Sequence, residues 1–553
     1  MKHTEIDPFS AEIIRNAIQA ISDEMFVCLR KAAMSSNIYE TLDFSVAIMD
    51  GKGQLACQGA GLEMFIGLLG AGPRAILDKF GKTNDIREGD IFITNDPYNG
   101  GGSHLNDVVM LKPVFYKEQL VAWMSNKAHW SDIGGMTAGG MSPLANEIFQ
   151  EGLQFPEIKL FDAGKQNQAV IDMVEANSRW PDITLGDMWA CIASLKTGES
   201  RFLELIERFG AVTVETVIEE FIDYGESITL RALAKLPNGV YEAEELFEDG
   251  QPMRVKIRIT DEVFEVDLRN NPPQHSGPFN ASYVGTWTSC QILFKAITTP
   301  GQITNEGSFK PMKLLTDKGS IFDAERPAAA GFYFEPMSYA MDIIWKAMAP
   351  IAKNVLPAAQ FNSLCSIHIV NKHPDNDSLQ MMMQCHAGGW GGGVGKDGET
   401  GLFSTGGGEL FFCPFEIREC RTGIEVVSAR LHDYGGGEGR YRGGRGIEYV
   451  YRIRAEKASL TTGFMRTKNP PWGVNGGRPG SLNSCTVMHV DSGEEEVCNS
   501  VCELPLKKGD LVRIVSASGG GWGEPGDRPT ELIIDDVKNG YVTTEQAKQI
   551  YGL

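Results

Sequence analysis

Two of the nine histidines in this chain stand beside carboxylates within one short stretch. The run Asn95-Asp-Pro-Tyr-Asn-Gly-Gly-Gly-Ser-His104-Leu-Asn-Asp107 is followed, one predicted hairpin later, by Lys127-Ala-His129-Trp-Ser-Asp132-Ile-Gly-Gly135. Imidazole nitrogens and carboxylate oxygens bind divalent first-row metals, and a set of three leaves coordination positions open. A structural zinc would instead close its shell, usually with thiolates. His104, Asp107 and His129 are therefore read as candidate ligands of a catalytic divalent ion, in a loop whose glycines allow close backbone approach. Asp132 is read as a proton-handling or supporting residue, or alternatively as a turn carboxylate before Gly134-Gly135.

These residues need elements to position them. Asp107–Tyr116 and Gln119–Ala128 are rich in β-branched, aromatic and large apolar residues around Lys117-Glu118, which predicts a hairpin. With an even loop, Asp107 lies opposite Ala128, and His129 faces the other side of the ribbon from Asp107. With an odd loop or a bulge, His129 lies directly across from Asp107. A metal site requires the second register or a strand that ends before His129. Asp43 begins a predicted strand reaching Asp50, where a turn or cap is the ordinary role of a carboxylate.

At 553 residues the chain calls for two to four domains. A formal charge of −21 with no compensating basic run argues against nucleic acid and anionic membranes as partners. Met1-Lys-His-Thr-Glu-Ile-Asp-Pro has no apolar signal region, and no apolar run reaches the roughly 18 residues of a membrane span. Eleven scattered cysteines without a CxxC pair suit reduced thiols in the cytoplasm.

In chain order, Asp7-Pro8 starts a predicted helix with apolar positions Ile13, Ile14, Ala17, Ile18, Ile21, Met25 and Leu29. Met64–Phe80 reads as helix, Asp90–Asn95 as a strand, 136–142 as a glycine-rich loop and Asn146–Gly152 as a short helix. Residues 167–234 read as helical. Arg254–Ile259 and Val263–Leu268 form a predicted hairpin, Met337–Ile351 a helix, and Ser366–Val370, Leu379–Gln384, Ile447–Ala455 and Leu460–Met465 strands. The fold class is α+β, a large multi-domain mixed architecture. An N-terminal helix/strand metal-site part spans about 5–234, a β-rich, glycine-rich part about 235–525, and 526–553 is a C-terminal tail.

The glycine clusters suggest a test for nucleotide binding. A P-loop places glycine five positions before a Gly-Lys pair and Ser or Thr after it, but around Gly395-Lys396 those positions hold Trp390 and Asp397. No dinucleotide fingerprint or G-x-S-x-G elbow occurs in its required setting either. The glycines are read as tight turns and close backbone packing, and His368, His386 and His432 as hydrogen-bonded core or rim residues.

The motif around His104, together with Ala128-His-Trp-Ser-Asp-Ile-Gly-Gly-Met-Thr137, Glu151-Gly-Leu, Pro156-Glu-Ile-Lys-Leu, Pro414-Phe-Glu-Ile-Arg-Glu419, Tyr441-Arg-Gly-Gly-Arg-Gly446, Asn475-Gly-Gly and 519–525, resembles the hydantoinase B/oxoprolinase family over residues 5–525. The resemblance implies a B-type subunit working in a hetero-oligomer with an A-type (hydantoinase A-like) partner. That partner binds ATP with Mg and phosphorylates an amide or ketone oxygen, and the B-type chain completes the chemistry at a divalent metal (zinc, manganese or iron). The family's His-x-x-Asp motif and later His map onto His104, Asp107 and His129, with Asp43 as a candidate fourth ligand. Asn106 replaces the usual proline. Three activities follow as alternatives: hydrolysis of a hydantoin- or lactam-type cyclic amide, carboxylation of a ketone, or a non-catalytic assembly role.

Overall fold

The computed structural model describes residues 6–83, 85–408, 410–432 and 435–553; the first five residues, read above for a leader, lie outside them. Strands β1 (Phe44–Asp50), β2 (Leu55–Gly61), β3 (Ile91–Thr94), β4 (Asp107–Tyr116), β5 (Gln119–His129), β6 (Ile158–Asp162) and β7 (Lys165–Gln166) form one sheet in the order β2-β1-β5-β4-β3-β6-β7. All its pairs are antiparallel.

Side-chain alternation gives this sheet two buried faces. Phe44, Val46, Ile48, Val108, Met110, Met124 and Ala128 enter a core with the helical layer. That layer contains α1 (Pro8–Ala32), α2 (Ser36–Tyr39), α4 (Gln168–Asn177), α5 (Pro181–Phe209) and α6 (Ala211–Leu233), while α3 (Ile66–Phe80) lies on the opposite face. Helix α1 starts where Asp7 caps the Ser10 amide, and Ile14, Ile18, Ile21, Met25 and Leu29 are buried as their spacing predicts. Ile13 is 47% exposed, one position off the buried stripe. The predicted helix at 146–152 is only a short 3₁₀ turn, Ile148–Gln150.

On the second face, Ala47, Met49, Val109, Leu111 and Trp123 meet residues from beyond 235. These come from strands β8 (Gly239–Leu246), β9 (Pro252–Ile259), β10 (Phe264–Asp267) and β11 (Met312–Leu315), in the order β11-β10-β9-β8, and from helices α7 (Tyr283–Thr298) and α8 (Phe334–Met348). The β9–β10 hairpin follows the alternation of its sequence. Helix α7 escapes a reading of periodicity because its buried residues include Thr286, Thr288, Ser289, Gln291 and Lys295, which blur any apolar stripe.

Strands β12 (Ser366–Lys372) and β13 (Leu379–Gln384) pair with Lys457–Gly463 and Ser500–Lys507 in a four-stranded sheet. It packs through Ile367, Ile369 and Leu460 on Tyr449, Tyr451, Val512 and Ile514 of a five-stranded sheet. The glycine clusters meet backbone to backbone: a Cβ on Gly519 would lie 2.2 Å from Trp390 C, and one on Gly444 would lie 1.8 Å from Glu399 O. Beyond 525, helix Thr530–Lys538 packs back through buried Arg528, which pairs with Asp397 at 2.7 Å and Asp536 at 2.6 Å. No described helix is long and apolar enough to cross a membrane.

Candidate metal centre

The β4–β5 hairpin decides the site. Lys117 and Glu118 both have positive φ, 49° and 67°, the conformation of a two-residue I′ loop. Next to this turn Tyr116 pairs with Gln119 and Phe115 with Leu120, which is the even-loop register. A bulge at Val121 then shifts the ladder, so that Val114 pairs with Ala122 and Asp107 with His129. Leu120 packs on one face while Val121 and Ala122 both pack on the other, which is where the alternation changes phase. Both registers the sequence leaves open occur, one at each end of the hairpin. Strand β1 extends the row: Phe44 pairs with Ala128, and the His129 amide donates to the Asp43 carbonyl at 3.1 Å. Asp43, His129 and Asp107 therefore begin side by side on three adjacent strands, and a turn in which the Asp107 amide donates to the His104 carbonyl at 3.1 Å brings in the fourth residue.

His104 Nε2 lies 3.2 Å from His129 Nδ1 and 3.2 Å from Asp107 Oδ1, and His129 Nδ1 lies 3.3 Å from the same oxygen. Ligand atoms about 2.0–2.2 Å from one ion stand roughly 2.8–3.6 Å apart in tetrahedral or octahedral geometry. Hydrogen bonding alone serves this triangle poorly. With none or only one proton on the two nitrogens, unpaired lone pairs still face each other; with one on each, two N–H groups collide. A shared cation resolves both conflicts, so the donor set fits a divalent metal. Asp43 Oδ2 is 3.9 Å from His129 Nδ1, one step outside the triangle.

The surroundings orient this donor set. Asp107 Oδ2 accepts from Ser103 Oγ and, at 3.0 Å, from Tyr333 OH, and lies 3.6 Å from Lys127 Nζ. Oδ1 is thereby left to the imidazoles. Lys127 is fully buried, donates to Ser103 Oγ at 2.7 Å and lies over the Phe65 ring at 4.3 Å. Burial pushes its amine down to about 8, against the pull of Asp107 and Asp43. Burial opposes the ionisation of Asp107 too, yet His104, Lys127 and the bonds from both imidazoles hold its carboxyl well below the usual range. The two histidines shift in opposite directions. Burial pushes His104 down despite Asp107, whereas His129 faces both Asp107 and Asp43 and is raised in spite of burial. Burial raises Asp43 to about 6, with Asp107 adding to the shift and His129 and Lys127 opposing it.

Asp132 is not brought to the triangle. Its carboxylate accepts from the Gly139 amide at 2.9 Å, the Arg179 amide at 2.6 Å and the Arg179 guanidinium at 3.0 Å. Gly139 O in turn accepts from Asn106 Nδ2, which also donates to Trp130 O at 2.8 Å. Asp132 and Asn106 thus tie the glycine-rich 136–142 loop to the end of the hairpin, and Asp132 is placed as a supporting carboxylate.

A cavity of about 50 Å³ adjoins the triangle, lined by Asp43, His104, Asp107 and His129 and, from distant sequence, by Tyr333, Glu335, Ser366 and Cys385. That volume admits an ion with a few waters or a small reacting group. Lys127 was visible to sequence reasoning as a lysine two residues before His129 in an apolar strand. Tyr333 and Glu335 gave no signal, being more than 200 residues away from Asp107. His386 meets the expectation of a bonded core histidine, bridging Cys365 O at 2.7 Å and Tyr451 OH at 2.9 Å. His368 departs from it. Both its nitrogens lack partners, and burial together with the nearby imidazoles of His129 and His104 lowers it to about 3.

Comparison with known proteins accords with this geometry. The chain is 29% identical to the B component of a putative D-/L-hydantoinase from a Pseudomonas species, over 100% of this chain and 96% of the relative. The crystal structure of ATP-dependent caprolactamase from Pseudomonas jessenii superimposes with a TM-score of 0.93 at 27% identity, covering 99% of this chain and 96% of that one. A nucleotide-free acetone carboxylase structure shares the fold, with a TM-score of 0.91 at 17% identity over 99% of this chain and 80% of the other. The hydantoinase B/oxoprolinase family model matches residues 7–525, nearly the whole described chain, and the protein belongs to that family.

Proposed function

We propose that this chain is the metal-binding catalytic subunit of an ATP-dependent cyclic amide hydrolase, opening a hydantoin- or lactam-type ring after an A-type partner has phosphorylated the amide oxygen. The triangle of His104 Nε2, His129 Nδ1 and Asp107 Oδ1 beside a small cavity carries the reading. Likeness to a hydantoinase component and a caprolactamase favours amide hydrolysis over ketone carboxylation, because the carboxylase match is one of fold. His104, Asp107 and His129 would hold the ion, with Asp43 as the fourth ligand. When bound, zinc, manganese or iron would lower the pKa of water at the site to about 7 and so supply a nucleophile at neutral pH. Tyr333, Ser103 and Lys127 fix the Asp107 carboxylate, and the apolar walls restrict bulk water.

An unactivated amide resists water, and phosphorylation of its oxygen makes the carbon a far better electrophile. ATP and Mg are assigned to the partner, in keeping with the failed P-loop pattern around Gly395-Lys396. The free cysteines suit a reducing compartment such as the cytoplasm. The test is reconstitution with an A-type subunit, elemental analysis of the complex, and ATP-dependent turnover over a panel of cyclic amides and ketones. Ring opening without bicarbonate is expected. Bicarbonate-dependent product from a ketone would replace this reading with the carboxylase one.

A further inference from the structure

We propose that Glu335 is the acid that protonates the leaving nitrogen as the ring opens, an assignment that rests on the amide-hydrolase reading above. Glu335 is 1% exposed and lines the same cavity as His104, Asp107 and His129. Its two oxygens are held unequally. Oε1 accepts from Ser363 Oγ at 2.9 Å and from the Leu364 amide at 3.2 Å, whereas Oε2 is buried without a partner. Ser363 Oγ accepts from the Cys365 and Met465 amides at 3.1 and 3.2 Å, so its single proton is committed to Glu335. Two donors on Oε1 mark it as the unprotonated oxygen, and the acid's own proton resides on Oε2.

Burial pushes this carboxyl up to about 8, with Glu248 adding to the shift and Ser363, Leu364 and Arg466 opposing it. Across the cavity stand Asp43, Asp107, His104 and His129. Glu335 therefore holds its proton at neutral pH, as an acid catalyst must. Glu151 is the internal control. Burial raises it to about 8 as well, but its two oxygens are capped by the Ala330 and Gly331 amides at 3.0 and 2.7 Å. Asp43 and Asp107, the other carboxyls lining the cavity, are assigned to the metal, which leaves Glu335 as the cavity carboxyl able to donate.

The step balances without another reagent. Water oxygen bonds to the phosphorylated amide carbon as the C=N π pair moves to nitrogen, which takes one of the water's protons. The C–N bond then breaks with its electron pair going to nitrogen, which takes the Oε2 proton, while the remaining hydroxyl proton restores the acid and leaves an acyl phosphate that a second water hydrolyses to carboxylate and inorganic phosphate.

Glu335→Gln keeps an Oε1 acceptor and the side-chain shape while removing the acid. In the reconstituted, metal-loaded complex this variant is expected to open a lactam about 10²-fold or more slowly, with metal content, melting midpoint and ATP consumption by the partner close to wild type. On a cyclic imide, whose leaving nitrogen is a much weaker base, the loss should shrink severalfold. Should the variant unfold early, wild type alone decides: ring opening of the lactam should fall on the alkaline side, as Glu335 ionises, and opening of the imide should not. Rings opened by wild type and by Glu335→Gln at equal rates, or identical wild-type pH profiles for lactam and imide, overturn the assignment alone. A wild-type complex that consumes ATP and opens no ring overturns the hydrolase reading together with it.

Discussion

Two buried carboxylates, Asp107 on strand β4 and Asp342 on helix α8, are treated in opposite ways. Asp342 on α8 pairs with fully buried Arg466, which also pairs with Glu245 at 3.0 Å, and Trp472 Nε1 donates to Asp342 at 2.9 Å. Its positive partner is a guanidinium shared with a second acid, and burial still lifts Asp342 to about 6. Asp107 has an ammonium, a hydroxyl and a phenol on one oxygen and two imidazoles on the other, and it stays ionised. The Asp342 cluster pairs its charges and joins α8 to the 465–472 segment, with Arg466 Nε left as a buried donor without a partner. The Asp107 cluster keeps nitrogen lone pairs converging beside a cavity, an arrangement that hydrogen bonds cannot complete. Burial alone does not separate a structural charge cluster from a reactive one; what separates them is whether several ligand atoms converge beside a cavity.

The strongest way to break this contrast is His129→Ala. Product formation in the reconstituted complex should fall to background and bound metal should be lost, while the partner's ATP consumption persists at least in part and the melting curve moves little. Parallel loss of both activities with a collapsed transition would assign the cluster a structural role like that of Asp342.

The complementary change is Arg466→Met. It strands Asp342 in the interior, whereas Glu245 keeps Lys346 as a partner, and it should destabilise the chain by about 3–5 kcal/mol, read by denaturant unfolding, while the surviving folded protein keeps its metal stoichiometry. Metal loss at unchanged stability would mean that the two clusters are coupled.

Tyr333→Phe sharpens the comparison more gently. Removing one donor to Asp107 Oδ2 should weaken metal binding by about 10–100-fold, the usual cost of losing an orienting partner. Competition with a chelator measures it, and an unchanged affinity would show that Ser103 and Lys127 suffice.

The smallest effect is on pH. His129 has a raised pKa in the metal-free chain, so a proton occupies the ligand nitrogen on the acid side of that value and must leave when metal binds. Affinity should therefore fall with acidification, by at most about tenfold per unit for one proton, and rise no further above the His129 pKa. Calorimetry in two buffers of different ionisation enthalpy counts the protons. No release near neutral pH would contradict the shift.

Residue type and local pattern by themselves determined much of this protein. His104, Asp107 and His129 are a donor set that suits a metal as well as a polar loop rim, and the apolar runs on both sides of Lys117-Glu118 made their convergence a matter of register. Helix α1, the β9–β10 hairpin and the close-packed glycine clusters were legible for the same reason, because local spacing and backbone sterics dictate them. Tertiary structure alone decided the rest. Which register reaches the site depends on a bulge at Val121, and Val121 bulges because both faces of the sheet are buried and each residue must enter one core or the other. Asp132 is open from sequence to a proton-handling, supporting or turn role, and only the tertiary structure supplies Arg179 and the Gly139 amide as its partners. Tyr333 and Glu335 reach the cavity only because α8, packed on α7, β8 and β9, brings its N-terminal end to Asp107, a contact between residues more than 200 positions apart that no local spacing encodes.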